Sequence, residues 1–204
     1  MPTARQEILN KLANAINPLP EKPDFAAPLY PPLSLPLDEA FKQCLERVSG
    51  SVYLFSSEYD LYKQLNTFLS AFKSQSVVCF EDEIVSALKS SGFPLLEHLE
   101  VPENMEVGIT GCEYLIARTG SILASSAQKG GRKMLVYPPV HVVVASRSQL
   151  VENLSDAYNL IVEKYKDNLP SHITLITGPS RTADIEKSLV MGAHGPKELH
   201  VFLT

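Results

Sequence analysis

The run Val140-His141-Val142-Val143-Val144-Ala145 is apolar at nearly every position rather than at alternate ones. A strand that meets water on one face alternates. A strand without alternation must be covered on both faces, as in a parallel sheet flanked by helices. Val77-Val78-Cys79-Phe80 and Leu199-His200-Val201-Phe202-Leu203 repeat the pattern, and Val52 to Phe55 reads as a further strand. Between these runs the apolar period becomes helical. Leu37 to Val48 puts Leu37, Phe41, Cys44, Leu45 and Val48 on one side. Tyr59 to Phe72 reads as a helix, Ile84 to Leu88 as a short one closed by Ser90-Ser91-Gly92, and Gln149 to Lys166 as the longest. A hairpin turning at Thr119-Gly120 lies between them. Alternating helices and continuous strands predict an α/β fold, a Rossmann-like three-layer sandwich with a mainly parallel sheet.

Proline and glycine divide the chain. Seven of 15 prolines fall between Pro18 and Pro36, whereas eight of 10 glycines lie from Gly108 onward. The proline block follows a short amphipathic helix (Ile8, Leu9, Leu12, Ile16) and cannot itself be regular structure. With Phe25, Leu29, Tyr30 and Leu33 interleaved, it reads as an extended arm laid on its own protomer or on a neighbouring subunit of a homo-oligomer. The expected organisation is a helix and arm over residues 1–36 and an α/β domain over residues 37–204.

At 204 residues and 45% hydrophobic, the chain can build a real core. A net charge of −5 argues against a nucleic-acid surface. There is no membrane-length apolar run and no leader-like apolar stretch after Arg5, Glu7 and Lys11, so a cytoplasmic location is expected. Cys44, Cys79 and Cys112 lie far apart, and no two of the five histidines have metal-ligand spacing. The expectation is therefore no metal and no cofactor bound by this chain. Cys79 and Cys44 read as core residues and Cys112, in a glycine-flanked loop, as the exposed one.

Candidate chemistry concentrates in loops. In Ile176-Thr177-Gly178-Pro179-Ser180-Arg181-Thr182 a buried strand is expected to turn at Gly178 into a helix capped by Ser180 or Thr182, with Asp184 and Glu186 in its first turn. Unpaired helix amides and the Arg181 guanidinium would then cradle an anion; the alternative is an ordinary strand-to-helix connection with a good cap. Thr119-Gly120-Ser121 offers two hydroxyls and a free amide, or is a plain turn. Gln128 to Lys133 reads as a mobile basic loop able to close over an anion, or as a solvated surface loop. Glu113 is the best carboxylate for proton transfer. His141 is either a core or a ligand-facing histidine, and His194 sits in a tight turn where it either reaches a site or caps carbonyls. His200 reads as packed, His98 and His172 as surface residues.

Four pieces, Ile116–Leu123, Tyr137–Val144, Ile176–Glu186 and Met191–Leu203, together resemble the LUD domain, the family of lactate utilization protein C. The resemblance is firm from Gly108 to Thr204, loose from Ser51 to Pro102, and does not reach the residues before Ser51. Arg118 stands where the family usually has Glu. The resemblance implies a fold similar to ribose-5-phosphate isomerase, glucosamine-6-phosphate deaminase and the CoA transferases. It also implies a subunit of a bacterial L-lactate oxidation system with iron–sulfur partner subunits, which would carry the electrons. This chain would bind a small anionic metabolite or organise those partners. The alternative is a stand-alone isomerase or acyl or CoA transferase acting on a sugar phosphate or acyl thioester. In either case the Thr177–Arg181 and Thr119–Ser121 loops are expected to share an anion site at the carboxyl-end rim of the sheet.

Overall fold

The computed structural model describes residues 3–15, 30–98, 100–182 and 190–204. The chain divides into two units, Met1–Pro32 and Leu33–Thr204. The first holds helix α1 (Ala4–Ala13), started by a capping box in which Thr3 and Gln6 satisfy each other's backbone amides. Ile8, Leu9 and Leu12 of α1 are exposed. Phe25 and Leu29 lie outside the described residues.

The second unit runs α2 (Leu37–Arg47), β1 (Ser51–Leu54), α3 (Glu58–Leu69), β2 (Val77–Cys79), α4 (Asp82–Ser90) and β3 (Val107–Thr110). It continues with β4 (Tyr114–Ile116), β5 (Ser121–Ser125), α5 (Gly131–Val136), β6 (Val140–Ala145), β7 (Leu150–Val151) and α6 (Leu154–Tyr165). It closes with β8 (Ile173–Ile176), β9 (Arg181–Thr182), β10 (Val190–Met191) and β11 (Glu198–Leu203). The central sheet has the order β1-β11-β6-β3-β2, every neighbour parallel. As the uninterrupted apolar runs require, both faces are covered. Leu61, Leu65 and Leu69 of α3 and Ile84 and Leu88 of α4 pack on Val77, Ile109, Val142 and Phe202. On the other face Phe41 and Leu45 of α2 pack with Leu115 and Ile122 on Val143, Val201 and Leu203. No helix among the described residues is long and apolar enough to cross a membrane.

The expected α/β sandwich around a mainly parallel sheet is what the chain forms. Part of its third layer is itself a sheet, of order β7-β4-β5-β8, and α6 packs on the outer side of that sheet through Ala157 and Ile161. β11, the last strand in the chain, is inserted between β1 and β6. Two expectations need correction. β8 is a partly exposed edge strand of this second sheet, antiparallel to β5, and not a buried strand. The helix expected from Gln149 begins only at Leu154: Leu150 and Val151 pair with β4, and Asn153 supplies the capping box.

Candidate functional site

The segments that carry the resemblance converge. Because β8 lies antiparallel to β5, Thr177 at its end meets Ser121 at the start of β5. Ser121 donates to Thr119 Oγ1 at 2.8 Å and lies 2.8 Å from Thr177 Oγ1. The Ser180 amide donates to Pro196 O at 2.8 Å, and the Lys197 amide to Pro139 O at 2.8 Å.

This assembly is at the amino end of the central strands, not at the carboxyl-end rim. Pro139 and Lys197 directly precede β6 and β11, and Gly178 turns against the α2–β1 connection. Gly178 has φ +82°, and a Cβ there would stand 2.6 Å from the Val48 carbonyl oxygen, so only glycine fits. Gly120 likewise presses on the α2 backbone at Leu45. The Thr119, Ser121 and Thr177 hydroxyls bond one another where these turns meet α2, which makes Thr119-Gly120-Ser121 a structural turn.

Ser180 caps no helix among the described residues, and the positions that would follow a cap at Thr182 lie outside them. Arg181 and Thr182 form β9, paired antiparallel with β10. The cause is local: Ser180 commits its amide to Pro196 and its carbonyl to the Gly192 amide, so it forms a ladder instead of a cap. Arg181 is exposed. Asp184 and Glu186 lie outside the described residues.

A groove of about 280 Å³ follows β8. Thr177, Gly178, Ser180 and His194 line it, together with Arg132 and His172, against Leu135 and Val136 of α5. No carboxylate lines it among the described residues. Arg132 is held by Nη2 donating to Ser171 Oγ at 3.0 Å. Sequence reasoning singled out the basic run containing Arg132 but read it as a loop. Residues from Gly131 onward are helical, and Lys129 turns away to pair with Asp82.

A second hollow, about 500 Å³, opens at the carboxyl ends of the central strands. Glu81, Asp82, Gly111, Gln128 and Gln149 line it. Glu81, which the sequence did not mark, accepts the Gly111 amide at 2.7 Å. Burial pushes its carboxyl pKa up, and the carboxylates of Glu113 and Glu83 add to this.

Glu113 is not poised for proton transfer. It is buried and accepts from Ser125 Oγ at 2.5 Å, Tyr165 OH at 2.7 Å and Lys164 Nζ at 2.8 Å. Burial alone would raise its pKa, but the hydrogen bonds from Lys164, Ser125 and Tyr165 outweigh it and hold the carboxyl below its usual range. The group is a clasp joining β4, β5 and α6. Cys112 is buried rather than exposed, because the chain crosses there from one sheet to the other, and burial pushes its thiol up. His141 is a core histidine, fully buried, with Nε2 at 2.8 Å from Thr110 Oγ1; burial lowers it to about 4. His200 is packed, with Nε2 at 3.0 Å from Glu198. Arg118 lies on the second sheet, paired with Glu152 and donating from Nε to Asn153 Oδ1 at 3.0 Å.

Residues 39–204 match the LUD domain. Lactate utilization protein C of Bacillus velezensis is 28% identical over 156 residues, 67% of this chain and 65% of that protein. Its counterpart in Macrococcus caseolyticus is 36% identical over 103 residues, 49% of this chain and 44% of that protein. The chain thus spans less than two thirds of these relatives' own length. In fold it is similar to a DUF162 family protein from Deinococcus radiodurans, with a TM-score of 0.59 and 19% identity, covering 82% of this chain and 95% of that one.

Proposed function

Because the chain belongs to the LUD domain family, we propose that it serves in lactate utilization, the role its relatives' names carry. In this reading it is a binding component whose groove along β8 recognises a carboxylate. One observation carries the reading. Two of the four resemblance-bearing segments, through Ile176–Ser180 and His194–Pro196, line a groove that also holds the Arg132 guanidinium, with no opposing acid among the described residues. A guanidinium fork matches a carboxylate, and Arg132 stands with Ser171 and His172 at one end of the groove. The carboxylate is carried by a small anion such as L-lactate or pyruvate, or by a partner protein. Electron transfer falls to iron–sulfur partner subunits. The cysteines here do not fit a cluster, since Cys79 and Cys112 pack in different hydrophobic clusters and no group of three potential ligands comes together among the described residues.

The test is a thermal shift with L-lactate, pyruvate and the neutral amide lactamide. Ligand at 100 times its Kd stabilises by about 2.7 kcal/mol. A rise with the carboxylates only, lost in Arg132→Ala, supports the reading. A rise unchanged in Arg132→Ala overturns it, and so does no rise together with no Arg132-dependent binding of a carboxylate-bearing peptide. Glu81, its pKa raised in the carboxyl-end hollow, favours a second reading, a stand-alone isomerase or transferase. Turnover of a sugar phosphate or acyl thioester by the isolated chain, lost in Glu81→Gln, would establish it.

A further inference from the structure

We propose that the carboxylate in the β8 groove belongs to a partner protein, on an extended segment that adds to β8 as an antiparallel strand. The proposal rests on reading the groove as a carboxylate site and names what brings the carboxylate there.

β8 ends its sheet, with β5 as its one neighbour among the described residues. In an antiparallel ladder, pairs that exchange hydrogen bonds alternate with pairs that do not. Ser126 donates its amide to His172 O at 2.9 Å, one step beyond the Ser125–Ile173 pair, and this sets the parity. Thr174 and Ile176 therefore turn their backbone groups toward β5. Ile173 and Leu175 turn theirs outward.

Natural edge strands are blunted by proline, lysine or a bulge, because a row of unpaired amides and carbonyls templates pairing. Ile173-Thr174-Leu175-Ile176 has none of these guards, and Leu175 is 44% exposed. The strand is built to accept a neighbour, the mode by which extended peptides add to sheet edges.

The groove specifies what kind of segment fits. It runs along β8, with Arg132 and His172 at the start of the strand and Ser180 and His194 beyond its end. Between them lie Leu135 and Val136, of which Val136 is 47% exposed. At ~3.3 Å per residue, a partner strand of about six residues spans that length. Alternate apolar side chains would cover the α5 surface. An antiparallel segment finishes where β8 starts, so its last residue meets Arg132. The groove carries the Arg132 guanidinium and, among the described residues, no carboxylate, which calls for an acidic residue there.

The probe is a fluorescein-labelled, C-terminally amidated peptide of alternating threonine and valine ending in glutamate, titrated with the full chain by fluorescence anisotropy. Four controls accompany it: a twin ending in glutamine, a twin N-methylated at alternate residues, the Arg132→Ala variant, and the Leu175→Lys variant, which guards the exposed edge without touching the core. The glutamate peptide should bind. The glutamine twin, Arg132→Ala and Leu175→Lys should each weaken binding at least tenfold, and N-methylation should abolish it. Equal binding of the N-methylated twin overturns strand addition. No peptide binding, with an Arg132-dependent thermal shift from lactate or pyruvate, overturns this proposal and leaves the carboxylate groove standing. Neither response overturns both. A dimer that Leu175→Lys dissociates, without peptide binding, assigns the edge to a second copy and also overturns the proposal.

Discussion

Glu113→Ala removes a carboxylate on which Ser125, Tyr165 and Lys164 converge. Ser125 is fully buried, so its hydroxyl loses its acceptor with no water to replace it, which costs about 1–3 kcal/mol. The Lys164 side chain is 53% exposed and regains water, so its share is about 1 kcal/mol at most. The total is about 2–4 kcal/mol; Glu113→Gln, which keeps the shape and one acceptor, should lose about half of that. The chain has no Trp, so urea unfolding is best followed by far-ultraviolet circular dichroism. The pH dependence has a definite sign. Glu113 is held below its usual pKa when folded, so the folded state binds fewer protons than the unfolded chain as pH falls. Its contribution is fully present above the unfolded value of about 4.3 and is lost as pH falls through the lower folded value. The advantage of the wild type over Glu113→Gln should therefore be constant from neutral pH to about 5 and shrink below it. A loss under about 0.5 kcal/mol for Glu113→Ala, or a Glu113→Gln gap that is the same in strong acid as at neutral pH, would refute the clasp.

His141, neutral and buried with its pKa at about 4, makes the fold lose stability as pH falls from the unfolded value of about 6.5 toward 4. Urea midpoints of His141→Gln should fall less over that interval than those of the wild type. Gly178→Ala places a methyl group 2.6 Å from the Val48 carbonyl at φ +82°, so thermal unfolding should show a loss of about 2–3 kcal/mol. Arg118→Glu sets a carboxylate against Glu152 beside the Asn153 cap of α6. It should destabilise by about 1–3 kcal/mol, partly recovered by adding Glu152→Arg, in chemical denaturation. Cys112, buried with its thiol pushed up, should resist alkylation in native protein and react only in denaturant, as read by peptide mass spectrometry.

What the sequence made legible depended on whether the determining signal was local. The run Val140 to Ala145 announces burial on both faces because the property that decides it, the absence of alternation, lies within the run itself. Ile173 to Ile176 has the same composition but pairs at one edge of a second sheet, and nothing within four residues reports which strand lies beside them. Gly120 and Gly178 were legible as tight turns, since a positive φ selects glycine wherever it occurs. Their packing partner, the end of α2, is set by the crossing of chain between sheets. The same crossing buries Cys112 and Glu113, which a loop-like, glycine-flanked sequence had suggested were accessible. In Gly130 to Val136, burial of Met134 and Leu135 against the core draws a glycine-rich segment into α5, an instance of packing overriding propensity. That helix carries Arg132 to Ser171, 39 positions away in sequence. The residue types of the proposed carboxylate groove were therefore readable in the basic run and in the Thr177–Ser180 and His194 turns. Which of them meet is decided by the antiparallel course of β8, which returns Thr177 to the amino end of the central strands and leaves Arg132 at the other end of the groove.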